Sequence, residues 1–105
     1  MTLIVKDFTL EKFIFNSINV FELQHRDAYV KFENIVLQDC IFKNSAFLRN
    51  IYSEFEMPYK KIFIYNFQIY KSTFVDSSLL NLDNINLLEI YKLKMRKITV
   101  TGTGV

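Results

Sequence analysis

The stretch FENIVLQDCIF at residues 32–42 sets apolar side chains at Phe32, Ile35, Leu37, Cys40 and Phe42, separated by alternating gaps of three and two residues. A strand with one buried face gives a strict gap of two, and an amphipathic helix gives gaps of three and four. Gaps of two and three together describe short runs of strand, separated by bends that bring the next side chain back to the same side. The rhythm recurs in VKDFTLEKFIF at 5–15, IYNFQIYKSTF at 64–74 and IYKLKMRKITV at 90–100, displaced by 27, 32 and 26 residues. A period in this range marks a stacked, repetitive architecture.

Alignment of the four copies gives the columns Leu3/Val30/Ile62/Leu88, Val5/Phe32/Ile64/Ile90, Phe8/Ile35/Phe67/Leu93 and Leu10/Leu37/Ile69/Met95. The series continues with Phe13/Cys40/Ser72/Ile98, Phe15/Phe42/Phe74/Val100 and Val20/Phe47/Leu79. These columns are the expected interior. After the Phe15 column come Asn16-Ser17, Lys43-Asn44, Val75-Asp76 and Thr101-Gly102, and Asn, Asp and Gly tolerate the positive φ of a tight bend. The next column, Ile18/Ser45/Ser77/Thr103, offers hydroxyls for bonds to one another or to backbone between copies. The extra residues of the second copy fall near Glu54 to Lys61, around Pro58, and are expected to form a loop at one corner.

The stretches IVLQDCIFKNSAF and FQIYKSTFVDSSLL resemble the loose repeat of right-handed parallel β-helices of the pectin-lyase-like and polymorphic-outer-membrane-protein type. In that repeat an apolar-x-apolar pair, a polar pair and a Phe-x-Asn/Asp-Ser bend recur once per coil. The resemblance covers nearly the whole chain. It implies an all-β, right-handed parallel β-helix (solenoid) of about four coils, with boundaries near 3–29, 30–61, 62–87 and an incomplete 88–105. Two other stacked folds are the alternatives. IVLQDCIF also fits a leucine-rich repeat, but its Asn/Cys column would read Phe13, Cys40, Ser72, Ile98. CIFKN, SAFLR, STFVD and SSLLN pass as pentapeptide repeats, against which stand the bulky Phe and Leu side chains and the longer period.

Length and composition narrow the function classes. At 105 residues the chain is one domain at most, and half of it is hydrophobic with only two Gly and one Pro, which argues for an ordered fold. A net charge of +2 from 13 basic and 11 acidic residues gives no strong field toward nucleic acid or an anionic membrane. The one basic run, Lys92, Lys94, Arg96 and Lys97, reads as a solvated strand face. No apolar run approaches the length of a membrane-spanning helix, and Lys6 and Asp7 interrupt the region where a secretory signal would be apolar. The compartment is not legible, although a fragment of a surface β-helix would sit at the cell surface. A single cysteine, Cys40, permits no internal disulfide and falls in an inward column, as a buried small hydrophobe.

Chemistry is sparse. A carbohydrate-active enzyme on such a scaffold needs two or three carboxylates close together on an outer face. The aligned columns hold at most one acid each, as in Lys12/Asp39/Lys71/Lys97 and Glu11/Gln38/Tyr70/Arg96. His25, the only histidine, sits in the corner HRDAY without other metal-ligating residues at a suitable spacing, and no Gly-rich phosphate loop can be assembled. No catalytic, cofactor, metal or small-molecule site is therefore expected.

What remains is surface. Strict alternation turns Ile14 and Ile41 outward, together with a ladder of Phe21, Leu48 and Leu80, which are the candidate partner contacts. The same ladder becomes a second interior row if the coil bends differently there. The ends are expected to be uncapped: the first coil opens at Met1 without a polar cap, and the last stops partway round at TVTGTGV. The expected function is a non-catalytic structural or interaction segment that meets protein partners by end-on coil stacking or lateral docking. A carbohydrate-active enzyme fragment and an accessory subunit of a large intracellular complex are the other readings.

Overall fold

The structure is a computed structural model; it describes residues 1–24, 27–50, 59–82 and 85–102, with Tyr59 described by its backbone alone. Every regular element among the described residues is a β-strand, as the wealth of β-branched and aromatic residues favours. The first copy supplies β1 (Thr2–Glu11), β2 (Ile14–Asn16) and β3 (Phe21–Leu23). The second supplies β4 (Asp27–Gln38), β5 (Ile41–Lys43) and β6 (Ala46–Asn50). The third supplies β7 (Tyr59–Tyr70), β8 (Thr73–Val75) and β9 (Ser78–Leu82), and the fourth β10 (Leu87–Arg96) and β11 (Thr99–Thr101).

These strands form three sheets, ordered β1-β4-β7-β10, β2-β5-β8-β11 and β3-β6-β9, and every pairing is parallel. Each sheet takes one strand from each copy that contributes to it, so the copies lie on one another as layers. The aligned columns are the observed register: Val5 pairs with Phe32, Phe32 with Ile64 and Ile64 with Ile90. Phe15, Phe42, Phe74 and Val100 follow one another in the second sheet in the same way. The Phe42 ring stacks on Phe15 at 5.0 Å and on Phe74 at 4.8 Å, close to the spacing of neighbouring strands, so phenylalanine rings continue the column through three layers.

The gaps of three residues have a backbone cause. Asp7, Asn34, Asn66 and Lys92 have φ between 53° and 62°; Lys12, Asp39, Lys71 and Lys97 between 49° and 60°. Ser17, Asn44, Asp76 and Gly102, at 46° to 82°, repeat this at the third bend, on the second residue of each expected turn pair. One left-handed residue inserted between two short runs of strand consumes the extra position and returns the next side chain to the interior. A left-handed residue with a side chain is strained by roughly 1–2 kcal/mol. At the first bend hydrogen bonds offset this: the Asn34 amide donates to Asp7 at 3.0 Å and the Asn66 amide to Asn34 at 2.8 Å. At the third, Gly102 lies so close over the Asp76 carboxylate that a Cβ would collide with it.

Beside the bends, serine hydroxyls complete the backbone bonding. Ser45 Oγ accepts from the Ile18 N–H of the layer below at 3.0 Å and donates to the Lys43 carbonyl at 2.8 Å. Ser77 Oγ accepts from the Ser45 N–H at 3.0 Å, and Ser72 Oγ from the Cys40 N–H at 3.2 Å. These three serines are buried, and each hydroxyl satisfies a backbone N–H of the neighbouring layer. The hydroxyls thus bond to backbone between layers. Thr103, aligned with the same column, lies outside the described residues.

Two expectations are corrected. Phe21, Leu48 and Leu80 do stack in one column, but they do not face outward. Leu48 is fully buried, Phe21 and Leu80 pack against the core, and the Phe21 ring meets Phe8, Phe32 and Phe47 at 5.3 to 6.2 Å. The cause is a corner at which Ser45, Ala46, Phe47 and Leu48 are all buried, so strict alternation does not hold and the ladder is a second interior row. The expected corner loop also ends earlier, because Tyr59, Lys60 and Lys61 already belong to β7; residues 51–58 lie outside the described residues.

Candidate functional site

The site follows from what stacking leaves uncovered. In the third layer Ile62, Ile64, Phe67, Ile69 and Phe74 are 0 to 2 % exposed, because a layer lies on each side of them. One layer further, Leu88, Ile90, Leu93, Met95 and Val100 occupy the same columns and are 39 to 47 % exposed. Their side chains point inward, yet one flank of each meets solvent. Covering five such half-exposed side chains is worth roughly 3–6 kcal/mol by the usual value for burying a large apolar residue. β10 and β11 are also edge strands, and the outer N–H and C=O groups of an edge await a partner strand.

The opposite edge, β1 and β2, is better covered: Leu10 is buried, and Leu3, Val5, Phe8 and Phe15 are half-buried against the core. Phe13, Ile14 and Ile18 remain exposed there. Among the described residues, every large apolar side chain that is exposed belongs to the first or the last layer, except Tyr29. Exposure of this kind is thus concentrated at two edges rather than scattered as it is on an ordinary surface.

Charge is arranged along the β10 edge. Between residues 87 and 101 the last layer carries Lys92, Lys94, Arg96 and Lys97 against Glu89 alone. Lys92 and Lys97 occupy left-handed bends, and the four cations fall into two pairs, Lys92 with Lys94 and Arg96 with Lys97. Two clefts result. Gln38, Tyr70, Lys71, Arg96 and Lys97 line one of about 240 Å³, and Asn66, Gln68, Lys92, Leu93 and Lys94 line another of about 300 Å³.

The outer face of the β1-β4-β7-β10 sheet holds a group that sequence reasoning missed. Tyr29 packs on Phe63 at 5.3 Å, Phe63 on Tyr65 at 6.3 Å and Tyr65 on Tyr91 at 6.4 Å, while the Lys31 ammonium sits 5.4 Å over the Tyr65 ring. Burial and the neighbouring Glu89 carboxylate raise the Tyr65 phenol above its ordinary pKa, and the hydroxyl donates to Glu89 at 3.4 Å. Glu33 pairs with Lys6 at 3.3 Å and Lys31 at 3.7 Å, at exposures where such pairs contribute little. The signal was present in the outward columns Lys6/Glu33/Tyr65/Tyr91 and Ile4/Lys31/Phe63/Glu89, which the alignment fixes as firmly as the inward ones.

Of the candidate contacts, Ile14 is exposed and Ile41 half-buried, one above the other in β2 and β5, while Phe21, Leu48 and Leu80 lie inside. Cys40 is buried, with its thiol 3.4 Å from the Gln38 carbonyl. His25 lies outside the described residues. Among the described residues no three His, Cys, Asp or Glu side chains gather as metal ligands, and no helix is long and apolar enough to cross a membrane. No protein-family model matches the chain, and no curated protein matches it in sequence.

Proposed function

We propose that this chain is a segment of a right-handed parallel β-helix with a non-catalytic structural role, and that its β10 and β11 edge receives a further parallel β-layer. The helical reading is supported by three parallel sheets that each take one strand from every copy that contributes to them, in constant register. Its hand follows from the strong right-handed preference of crossovers between parallel strands of one sheet. The single observation that carries the function is the exposure of Leu88, Ile90, Leu93, Met95 and Val100 in columns that are sealed one layer below. An edge of this kind recognises its occupant by two features at once. Unpaired backbone groups select an extended chain, and apolar columns at gaps of two and three select the sequence rhythm of this repeat.

Amide exchange tests the reading. A peptide of residues 62–76, which carries the rhythm, should slow exchange in β10 when added to the protein. A second peptide with Phe67→Asp and Ile69→Asp should not. Unchanged exchange in β10 with the first peptide, or equal slowing by both, would overturn the proposal.

A further inference from the structure

We infer that the layer received by the β10 and β11 edge is the β1 and β2 layer of a second copy of this chain, stacked head to tail. This rests on the reading that the edge takes a parallel β-layer, and it names the chain that supplies it.

The argument is one of register. Continuing the columns past the last layer sets Leu88 over Leu3 of the next copy, Ile90 over Val5, Leu93 over Phe8, Met95 over Leu10, Ile98 over Phe13 and Val100 over Phe15. Five apolar columns run on without interruption, and in the sixth the exposed Phe13 finds a neighbour in Ile98. The backbone matches as well. Lys92 meets Asp7, Lys97 meets Lys12 and Gly102 meets Ser17, and all six residues have positive φ, so no bend falls against a straight run.

Charge selects the orientation. Lys92 falls over Asp7 and Arg96 over Glu11, which gives two opposite-charge pairs in adjacent layers. Tyr91 falls over Lys6, the residue types that meet within the structure where Lys31 sits over Tyr65. Lys97 over Lys12 is the one like-charged pair. Two copies joined by their last layers would instead bring four cations and one acid against the same set, which like-charge repulsion opposes. The first layer is balanced between Lys6, Asp7, Glu11 and Lys12. The contact joins two different surfaces, so it does not close on itself, and copies add in a line. Two of the three sheets continue across it. The third has no described strand in the last layer, and β3 of the incoming copy faces that position.

Sedimentation of the full chain over a range of concentrations tests this, with charge reversals drawn from residue types already present in the same columns. The Lys92→Asp, Arg96→Glu variant reverses the last layer, and the Asp7→Lys, Glu11→Arg variant reverses the first. The unmodified chain is expected to associate beyond the dimer as concentration rises, and each variant alone to associate at least about tenfold more weakly. An equimolar mixture restores association, because each reversed edge then meets its complement. Arg96→Glu alone, at an outward position, weakens association without touching a bend. A chain monomeric at every concentration, association that stops at a dimer, or a mixture no stronger than its components overturns the inference. Should the chain stay monomeric while the 62–76 peptide still slows exchange in β10, stacking stands and only the second copy falls as its occupant.

Discussion

Lys60 is fully enclosed, an unusual position for an ammonium group. Its Nζ donates to the Asn50 side chain, its backbone N–H donates to Asn86 Oδ1 at 2.7 Å, and Ala28 precedes it in the column. Burial holds its pKa below the ordinary 10.5. The folded chain therefore releases this proton at a lower pH than the unfolded chain does. Between the lowered value and 10.5 the unfolded state binds more protons, so this residue's contribution to stability rises with pH across that window. Urea unfolding at a series of alkaline pH values up to 10.5 should show that contribution as a slope missing from Lys60→Met. Tyr65, whose raised pKa works in the opposite sense, is common to both proteins and drops out of their difference. Equal slopes would show that burial does not perturb Lys60. Nothing in the sequence marks this lysine, because it follows the extra residues of the second copy, where the alignment of columns lapses.

At the scale of elements, the left-handed bends set the gaps between strands. Lys12 is exposed and held at φ 60°, which costs its backbone roughly 1–2 kcal/mol. Lys12→Gly removes that strain and adds about 0.5–1 kcal/mol of unfolded-state freedom. A net gain near 0.5–1 kcal/mol in urea unfolding is expected. Lys12→Val, a β-branched residue at positive φ, is expected to lose at least about 1 kcal/mol; a glycine variant less stable than the valine one would refute the role given to the bend. The columns were legible because parallel strands in constant register place like residues on like, so four weak signals reinforce one another. The third bend was legible from Asn44, Asp76 and Gly102. The second was hidden, since three of its four residues are lysines and lysine has no local chemistry that favours the left-handed region. The Phe21, Leu48 and Leu80 ladder had two readings, outward by strict alternation or a second interior row, because only tertiary packing decides which side chains turn in at a corner. The proposed pairs of Lys92 with Asp7 and Arg96 with Glu11 follow only when the observed register is extended.

At the scale of the whole molecule, cohesion runs along one direction. β4 and β7 have a neighbouring strand on each side, whereas β1 and β10 have one, so the layers are graded in protection from the middle to the edges. At low protein concentration, amides of β10 should exchange at least about tenfold faster than those of β4 and β7. Uniform protection across the layers would show that the chain opens as a single unit. The three left-handed positions recur at the same places in all four layers, and this bears on how such a chain tolerates change in length. Loss of one residue between Leu10 and Phe13 would put every later side chain of that layer out of phase with the layer above it. Removal or duplication of a whole layer, by contrast, returns each bend to a bend and each buried phenylalanine to an apolar neighbour. The fold thus has something like a reading frame, one turn of the stack long: it suffers from small insertions and deletions and is permissive to large ones that keep phase, so it can lengthen by tandem duplication without redesign of its interior.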